Sequence, residues 1–191
     1  RRKQRRRKTS CSEKMKLRLS EEQSRGKVEV SAEAGKSEGK ELKIMQWNVN
    51  GLRRRDLIFS LIQMHNVDIA IFQEAKLDPG EIKILRNDAG KLGFLTFASD
   101  PLYRPDGSVY DGNVILSKRQ AKIVQIAGLD DAVALAVAVD RNERAMAMVV
   151  GVHLPAVWSD AEKATALDLI IEEAKIRDAE MIVAGDFNME Y

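Results

Sequence analysis

A layered α/β domain, with helices covering β-sheet, is the fold the sequence predicts, and three observations predict it. An alternating segment, an amphipathic stretch and a short continuous apolar run follow one another between residues 42 and 73, the strand, helix, strand order that opens such domains. Short strand-like runs then recur as far as residue 153, and a last helix and strand follow. Three of these strands end in polar clusters, and the carboxyl ends of strands are where α/β folds open their clefts.

The first strand is read at residues 42–48, LKIMQWN, ending at the turn signal Asn50-Gly51. A helix follows over 53–66, where Leu57, Ile58, Leu61, Ile62 and His65 share one face. Residues 68–73, DIAIFQ, form a short continuous apolar strand. Residues 79–92 read as a helix with Pro79 in its first turn, and 93–98 as a strand. The stretch 101–111, with Pro101, Pro105 and Asp106-Gly107, reads as a loop long enough to have a functional role. Strands are expected at 113–117, 121–126, 132–140 and 145–153. Ser159 caps a helix reaching about residue 178, and the last strand, 181–184, leads into Gly185-Asp186-Phe187-Asn188. The chain shows no internal repeat.

Its 191 residues, 45% hydrophobic, suffice for one domain with a sizeable core plus an extension. The charge is divided. Residues 1–43 hold 15 Lys/Arg against 7 Asp/Glu, and the remainder holds 16 against 22, so the first part carries +8 and the body −6. Residues 1–41 are therefore read as a disordered basic tail and linker, too poor in large apolar side chains to offset the entropy of ordering, and residues 42–191 as the folded domain. The opening RRKQRRRK either binds nucleic acid through counterion release or serves as a nuclear address. Beginning without Met, the chain reads as a fragment or a processed product. Cys11 is the only cysteine, which excludes an intramolecular disulfide and points to a reducing compartment. No apolar run approaches the roughly 20 residues needed to span a bilayer, and no apolar signal core follows the basic start. The expectation is a nuclear protein with no membrane association and no obligatory protein partner.

Three segments place polar residues directly after apolar strands: Trp47-Asn48-Val49-Asn50-Gly51, Gln73-Glu74, and Gly185-Asp186-Phe187-Asn188. Singly, each has an ordinary reading as a turn or a solvated strand end. Together they resemble, in order and context, the endonuclease/exonuclease/phosphatase superfamily, over about residues 42–190. WNVNGLR looks like the first motif of the apurinic-endonuclease class, IFQE is similar to the second, GNVILSK at 112–118 resembles the central strand, and GDFN resembles a later motif. The resemblance is closest to the endonuclease domain of non-LTR retrotransposons. It implies a four-layer α/β (α+β) sandwich, metal-dependent phosphodiester hydrolysis with Mg²⁺ or Mn²⁺ as cofactor, and DNA as partner.

By that resemblance Glu74 is the principal metal ligand, with Asn48 helping to hold the metal and its phosphate. Asp186 orients or deprotonates the attacking water, Asn188 positions it, and Asn50, Arg53 and Tyr110 face substrate. The chemistry suits the residue types. An anionic phosphodiester repels hydroxide, so hydrolysis needs a hard cation, and Mg²⁺ keeps most of its waters and asks for one or two carboxylates. Neutral amides fix geometry without adding repulsion.

The departures matter equally. Within Val152-His153-Leu154-Pro155-Ala156, the nuclease members carry Tyr where His153 stands and Asn where Ala156 stands. His153 is read as a substitute donor, and so as catalytic. The family's C-terminal Asp and its Ser-Asp-His signature have no counterpart before Tyr191, so the C-terminal part of the fold is expected to be missing. His65, placed on the apolar stripe of a helix, is a poor replacement for that histidine.

Overall fold

The computed structural model describes residues 41–142 and 145–189. The basic tail, including Cys11 and RRKQRRRK, lies outside the described residues.

Strand β1 (Ile44–Asn48) and strand β2 (Ile69–Gln73) run parallel in the register Ile44↔Ile69 to Asn48↔Gln73, joined over the crossover by helix α1 (Arg55–Met64). Helix α2 (Pro79–Lys91) starts at Asp78, whose carboxylate accepts from Glu81 N–H while Glu81 returns the bond, and Pro79 occupies the first turn. Strand β3 (Leu95–Ala98) and strand β6 (Val114–Ser117) complete a sheet of order β1-β2-β6-β3, with β6 antiparallel to both of its neighbours.

The second sheet is built from β7 (Ala121–Val124), β8 (Ala134–Asn142), β9 (Ala145–His153) and β10 (Glu180–Asp186), in the order β10-β9-β8-β7. β10 lies parallel to β9 because helix α3 (Asp160–Ile176) carries the chain back to the start of the sheet. Ser159 caps α3 in a capping box with Glu162.

Three apolar clusters show how the layers stack. Ile58 and Ile62 of α1 and Leu85 and Ala89 of α2 pack with Ala70, Phe72, Val114 and Leu116 on one face of the first sheet. Ala166, Ile170 and Ala174 of α3 pack with Ala134, Ala136, Met148 and Val150 on the outer face of the second. Between the sheets lie Ile69, Ile71, Ile115, Leu135, Val137, Val139 and Val149, all fully buried. The result is helix, sheet, sheet, helix, the expected four-layer sandwich. Residues of β2 alternate between two cores, which is why its sequence is apolar throughout. Burying each of these aliphatic side chains contributes about 1.5–3 kcal/mol relative to exposure.

The close contact of the sheets has a local requirement. A Cβ on Gly151 of β9 would stand 2.6 Å from Ile71 Cγ2 of β2, so a glycine lets the two sheets meet there.

Two expectations are corrected. The stretch expected as a loop folds in part into a hairpin of β4 (Leu102–Tyr103) and β5 (Val109–Asp111), with a register shift beside Leu102 and Tyr103. Its turn is fastened by Asp106, which accepts from Ser108 N–H and Oγ; Pro and Gly here shape a hairpin turn, which a composition-based reading cannot separate from a loop. His65 is exposed at the end of α1, one residue past the helix, and not on its buried stripe. Among the described residues no helix is long and apolar enough to cross a membrane.

Candidate active site

Parallel pairing puts four side chains at one end of the sandwich. Asn48 ends β1 and Glu74 follows β2 in the first sheet; His153 ends β9 and Asp186 ends β10 in the second, where the two are register partners. The link between β1 and α1 is tied to the end of β2: Val49, Gly51 and Leu52 N–H donate to the carbonyls of Gln73, Glu74 and Ala75. Asn50, Glu74, Lys76 and Asn188 all have left-handed backbone, with φ of 44°, 49°, 51° and 46°. Such conformations cost of order 1–3 kcal/mol each in a side-chain-bearing residue and persist where surrounding bonds fix them. At Glu74 those bonds are Gly51 N–H to its own carbonyl and Ala75 N–H to Gly112 O. On β10, a Cβ on Gly185 would overlap the Val152 backbone, so the residue before Asp186 has no room for a side chain.

One amide joins the two carboxylates. Asn48 Nδ2 lies 2.8 Å from Glu74 Oε1 and 3.0 Å from Asp186 Oδ2, while its Oδ1 accepts from Asn50 N–H. Lys76 Nζ is 2.8 Å from Glu74 Oε2 and also donates to Asn50 Oδ1. That ammonium is the main reason the Glu74 carboxyl is held below its ordinary pKa, against the opposing effect of burial; the Asn48 bond and the His153 charge add to it.

On the other side, His153 Nδ1 meets Asp111 Oδ2 at 3.0 Å, and its Nε2 stands 4.0 Å from Glu74 Oε1. The Asp111 hydrogen bond raises the imidazole pKa against the opposing effect of burial, with further support from the charges of Asp111, Glu74 and Asp186. Asp111 is itself fixed by Gly112 N–H at 2.7 Å. Behind Asp186 the chain is pinned three times: Asn188 N–H donates to Asp186 Oδ1, Asn188 Nδ2 to Leu154 O, and Lys163 Nζ to Asn188 O at 2.6 Å.

This constellation sits on a chain that matches, over residues 45–191, the model of the Endonuclease/Exonuclease/phosphatase family. The chain belongs to that family. Solved structures of the same fold include an AP endonuclease from Archaeoglobus fulgidus, 17% identical with a TM-score of 0.60, aligned over 78% of this chain and 58% of that one. A 3′-5′ exonuclease from Neisseria meningitidis is 23% identical, TM-score 0.59, over the same shares of 78% and 58%. The 2′,3′-cyclic phosphatase ANGEL2 is 18% identical, TM-score 0.56, over 76% of this chain and 52% of its own. The chain thus spans little more than half the length of the structures it matches. By sequence, no curated protein matches it.

Members of this family work with divalent metals, and the donor set here fits a hard, hydrated cation. Among the described residues no three His, Cys, Asp or Glu side chains form a cage. The cluster instead offers Glu74 and a second carboxylate joined to it through Asn48; this suits Mg²⁺ that keeps its waters and not a closed four-ligand site. An ammonium against Glu74 Oε2 shows that the same oxygen already attracts a cation. Asn48 turns its nitrogen, not its oxygen, to both carboxylates, so it serves here as their bridge.

Of the residues singled out by sequence, Asn48, Asn50, Glu74, His153, Asp186 and Asn188 are brought into one network. Tyr110 is exposed on β5 next to Asp111, with Arg104 over its ring at 5.5 Å. Arg53 is exposed and takes no part in the network. Sequence reasoning missed Lys76, Asp111 and Lys163. Lys163 carried a legible signal: it falls at helical spacing with Ala166, Ile170 and Ala174, a cation on the buried stripe of α3. Lys76 carried none, because a left-handed link after β2 places it, and Asp111 none, because it ends a strand of only three residues.

Proposed function

We propose that this chain supplies the metal-binding half of a Mg²⁺-dependent DNA endonuclease, with Mn²⁺ able to replace Mg²⁺, and that it acts in the nucleus as the target-nicking endonuclease of a non-LTR retrotransposon. The observation that carries the hydrolase reading is the double hydrogen bond of Asn48, which holds a metal-ligand carboxylate and a water-activating carboxylate at a fixed spacing across the two sheets. A bound Mg²⁺, held by Glu74 with Asn48 beside it, would neutralise the nonbridging phosphate oxygens and the charge developing on the leaving oxygen.

The chain's own residues supply the rest. Asp186 accepts the hydrogen bond, and then the proton, of the water that attacks phosphorus. Asn188 fixes Asp186 through its N–H and the Leu154 anchor, so that the carboxylate points one way. His153, whose imidazole pKa is raised by its bond to Asp111, would offer Nε2–H to the phosphate where the nuclease members have Tyr.

For the retrotransposon assignment, the support is Asn50, the basic leader and the replacement of Tyr and Asn at His153 and Ala156. A repair enzyme acting on abasic sites is the second reading, supported by the AP endonuclease among the similar structures. A small-molecule or lipid phosphatase fits the acidic body and the phosphatase neighbour, and the WNVNGLR wording argues against it. A non-catalytic remnant of a decayed element is the reading from outside enzymology, and incision by an extended chain would exclude it.

Incision of supercoiled plasmid against an abasic duplex, by a chain extended through any downstream reading frame, separates them. Nicking of plasmid without abasic preference, lost in Glu74→Ala, supports the proposal. Strong abasic preference assigns the repair role, and no incision of either by an extended chain supports the remnant.

A further inference from the structure

The cluster already contains a cation against the carboxylate proposed to hold the metal. Lys76 Nζ contacts Glu74 Oε2 and Asn50 Oδ1, and the Lys76 and Glu74 side chains are each 25% exposed. An ion pair between flexible surface side chains contributes little, but this one is built in by the backbone. Glu74 and Lys76 are both in left-handed conformation, and Ala75 between them is fastened on both sides, by its N–H to Gly112 O and by its carbonyl to Leu52 N–H. The three-residue link after β2 therefore turns the ammonium back onto the carboxylate that precedes it. The other oxygen of Glu74 faces Asn48 and, at 4.0 Å, His153, so Oε2 is the side from which a cation is held.

We propose that Lys76 is an internal counter-ion which occupies the cation position of this site and is exchanged for the divalent metal when the site loads. The proposal rests on the metal reading of Glu74 given above. Exchange of one cation for another keeps Glu74 compensated in both states, so the partly buried carboxylate cluster is never left bare. It also makes the metal compete with a tethered ammonium, which weakens apparent affinity. The released side chain, a compact charge on a flexible four-carbon stem, remains beside the site for an incoming phosphate.

The test is Mn²⁺ binding to the full 191-residue chain, followed by the electron paramagnetic resonance of free Mn²⁺, with thermal melting recorded in parallel. Lys76→Met is expected to tighten Mn²⁺ binding about three- to fivefold, the upper range of what a partly exposed ion pair is worth. Lys76→Arg, which keeps the charge, stays within about twofold of the wild type. If Lys76→Met melts abnormally, Lys76→Gln replaces it. An unchanged or weaker affinity in a normally melting Met or Gln variant overturns the exchange, and it does so alone when Glu74→Gln still abolishes the site. Wild-type Mn²⁺ binding by Glu74→Gln shows instead that the metal reading has failed, and the exchange falls with it.

Discussion

Asn48 of the first sheet donates to Asp186 of the second at 3.0 Å, a bond that spans 138 residues of sequence and ties the ends of the two sheets together. The same nitrogen holds Glu74 at 2.8 Å, so removing it leaves two carboxylates without their shared donor. Asn48→Ala is expected to destabilise by about 1–3 kcal/mol, the cost of orphaned, partly buried acceptors. Asn48→Asp, which adds a third carboxylate, should cost more at neutral pH. Urea denaturation measures both, and a neutral Ala variant would show the bridge to be incidental.

The His153–Asp111 pair predicts a pH profile of stability. Its imidazole pKa is raised from 6.5, chiefly by the Asp111 hydrogen bond. A group whose folded pKa is raised contributes its full stabilisation below the unfolded value of 6.5 and loses it as pH climbs through the folded value. Stability should therefore fall as pH rises from 6.5 through the folded value, and Asp111→Asn should flatten the fall. Glu74 acts in the opposite sense, since its pKa is lowered from 4.5: its contribution is present above that value and lost on acidification. Melting temperature followed across neutral pH in wild type and Asp111→Asn checks the first; a parallel slope in both would contradict it.

Lys163 is 4% exposed and ends on the Asn188 carbonyl. Replacing it with Met keeps the volume and removes a buried charge, so global stability should change by less than about 1.5 kcal/mol. The turn after β10 should loosen all the same. Faster amide hydrogen exchange at Asn188, whose N–H is held by Asp186, is the expected readout, and unchanged protection there counts against a role for Lys163.

The two glycines at close approaches should differ in cost. An alanine at Gly151 meets a side-chain methyl of Ile71, whereas at Gly185 it meets the backbone of Val152. Ile71 can shift at a cost of about 1–3 kcal/mol; a strand backbone gives way less easily. Gly185→Ala should therefore be the more damaging, as read by soluble yield and urea midpoint, with the reverse order disproving the packing argument.

Among the described residues β1 and β10 each pair with one strand, and β10 leaves Met181 exposed and the residues after it half-buried. Open edges of this kind template association. The 191-residue chain is expected to self-associate in sedimentation velocity, and a single monomeric boundary across concentrations contradicts this.

Much of the fold was legible because its signals are local. The apolar run of β2 and the Ser159 and Pro79 helix starts depend on neighbours within a few residues, and they fall where the sequence places them. The β4–β5 hairpin was not legible, since its strands are two and three residues long and its turn residues also suit a loop. The residues of the candidate site were named by motif: Asn48 and Asp186 end apolar strands, and Glu74 and Asn188 follow them. Their partners were not. Asp111 reaches His153 across 42 residues, and no periodicity records that pairing.

The sequence by itself thus determined which segments become strands and helices, and which strand ends carry polar groups, because hydrophobic period and capping chemistry act within one element. The tertiary structure alone decided that two parallel pairs from different sheets end side by side, that Asn48 bridges Glu74 to Asp186, and that Lys76 and Asp111 complete the cluster as partners of Glu74 and His153. Those contacts arise from sheet stacking through Ile69, Ile71, Leu135 and Val149, a packing of distant segments that leaves no trace in the order of residues along the chain.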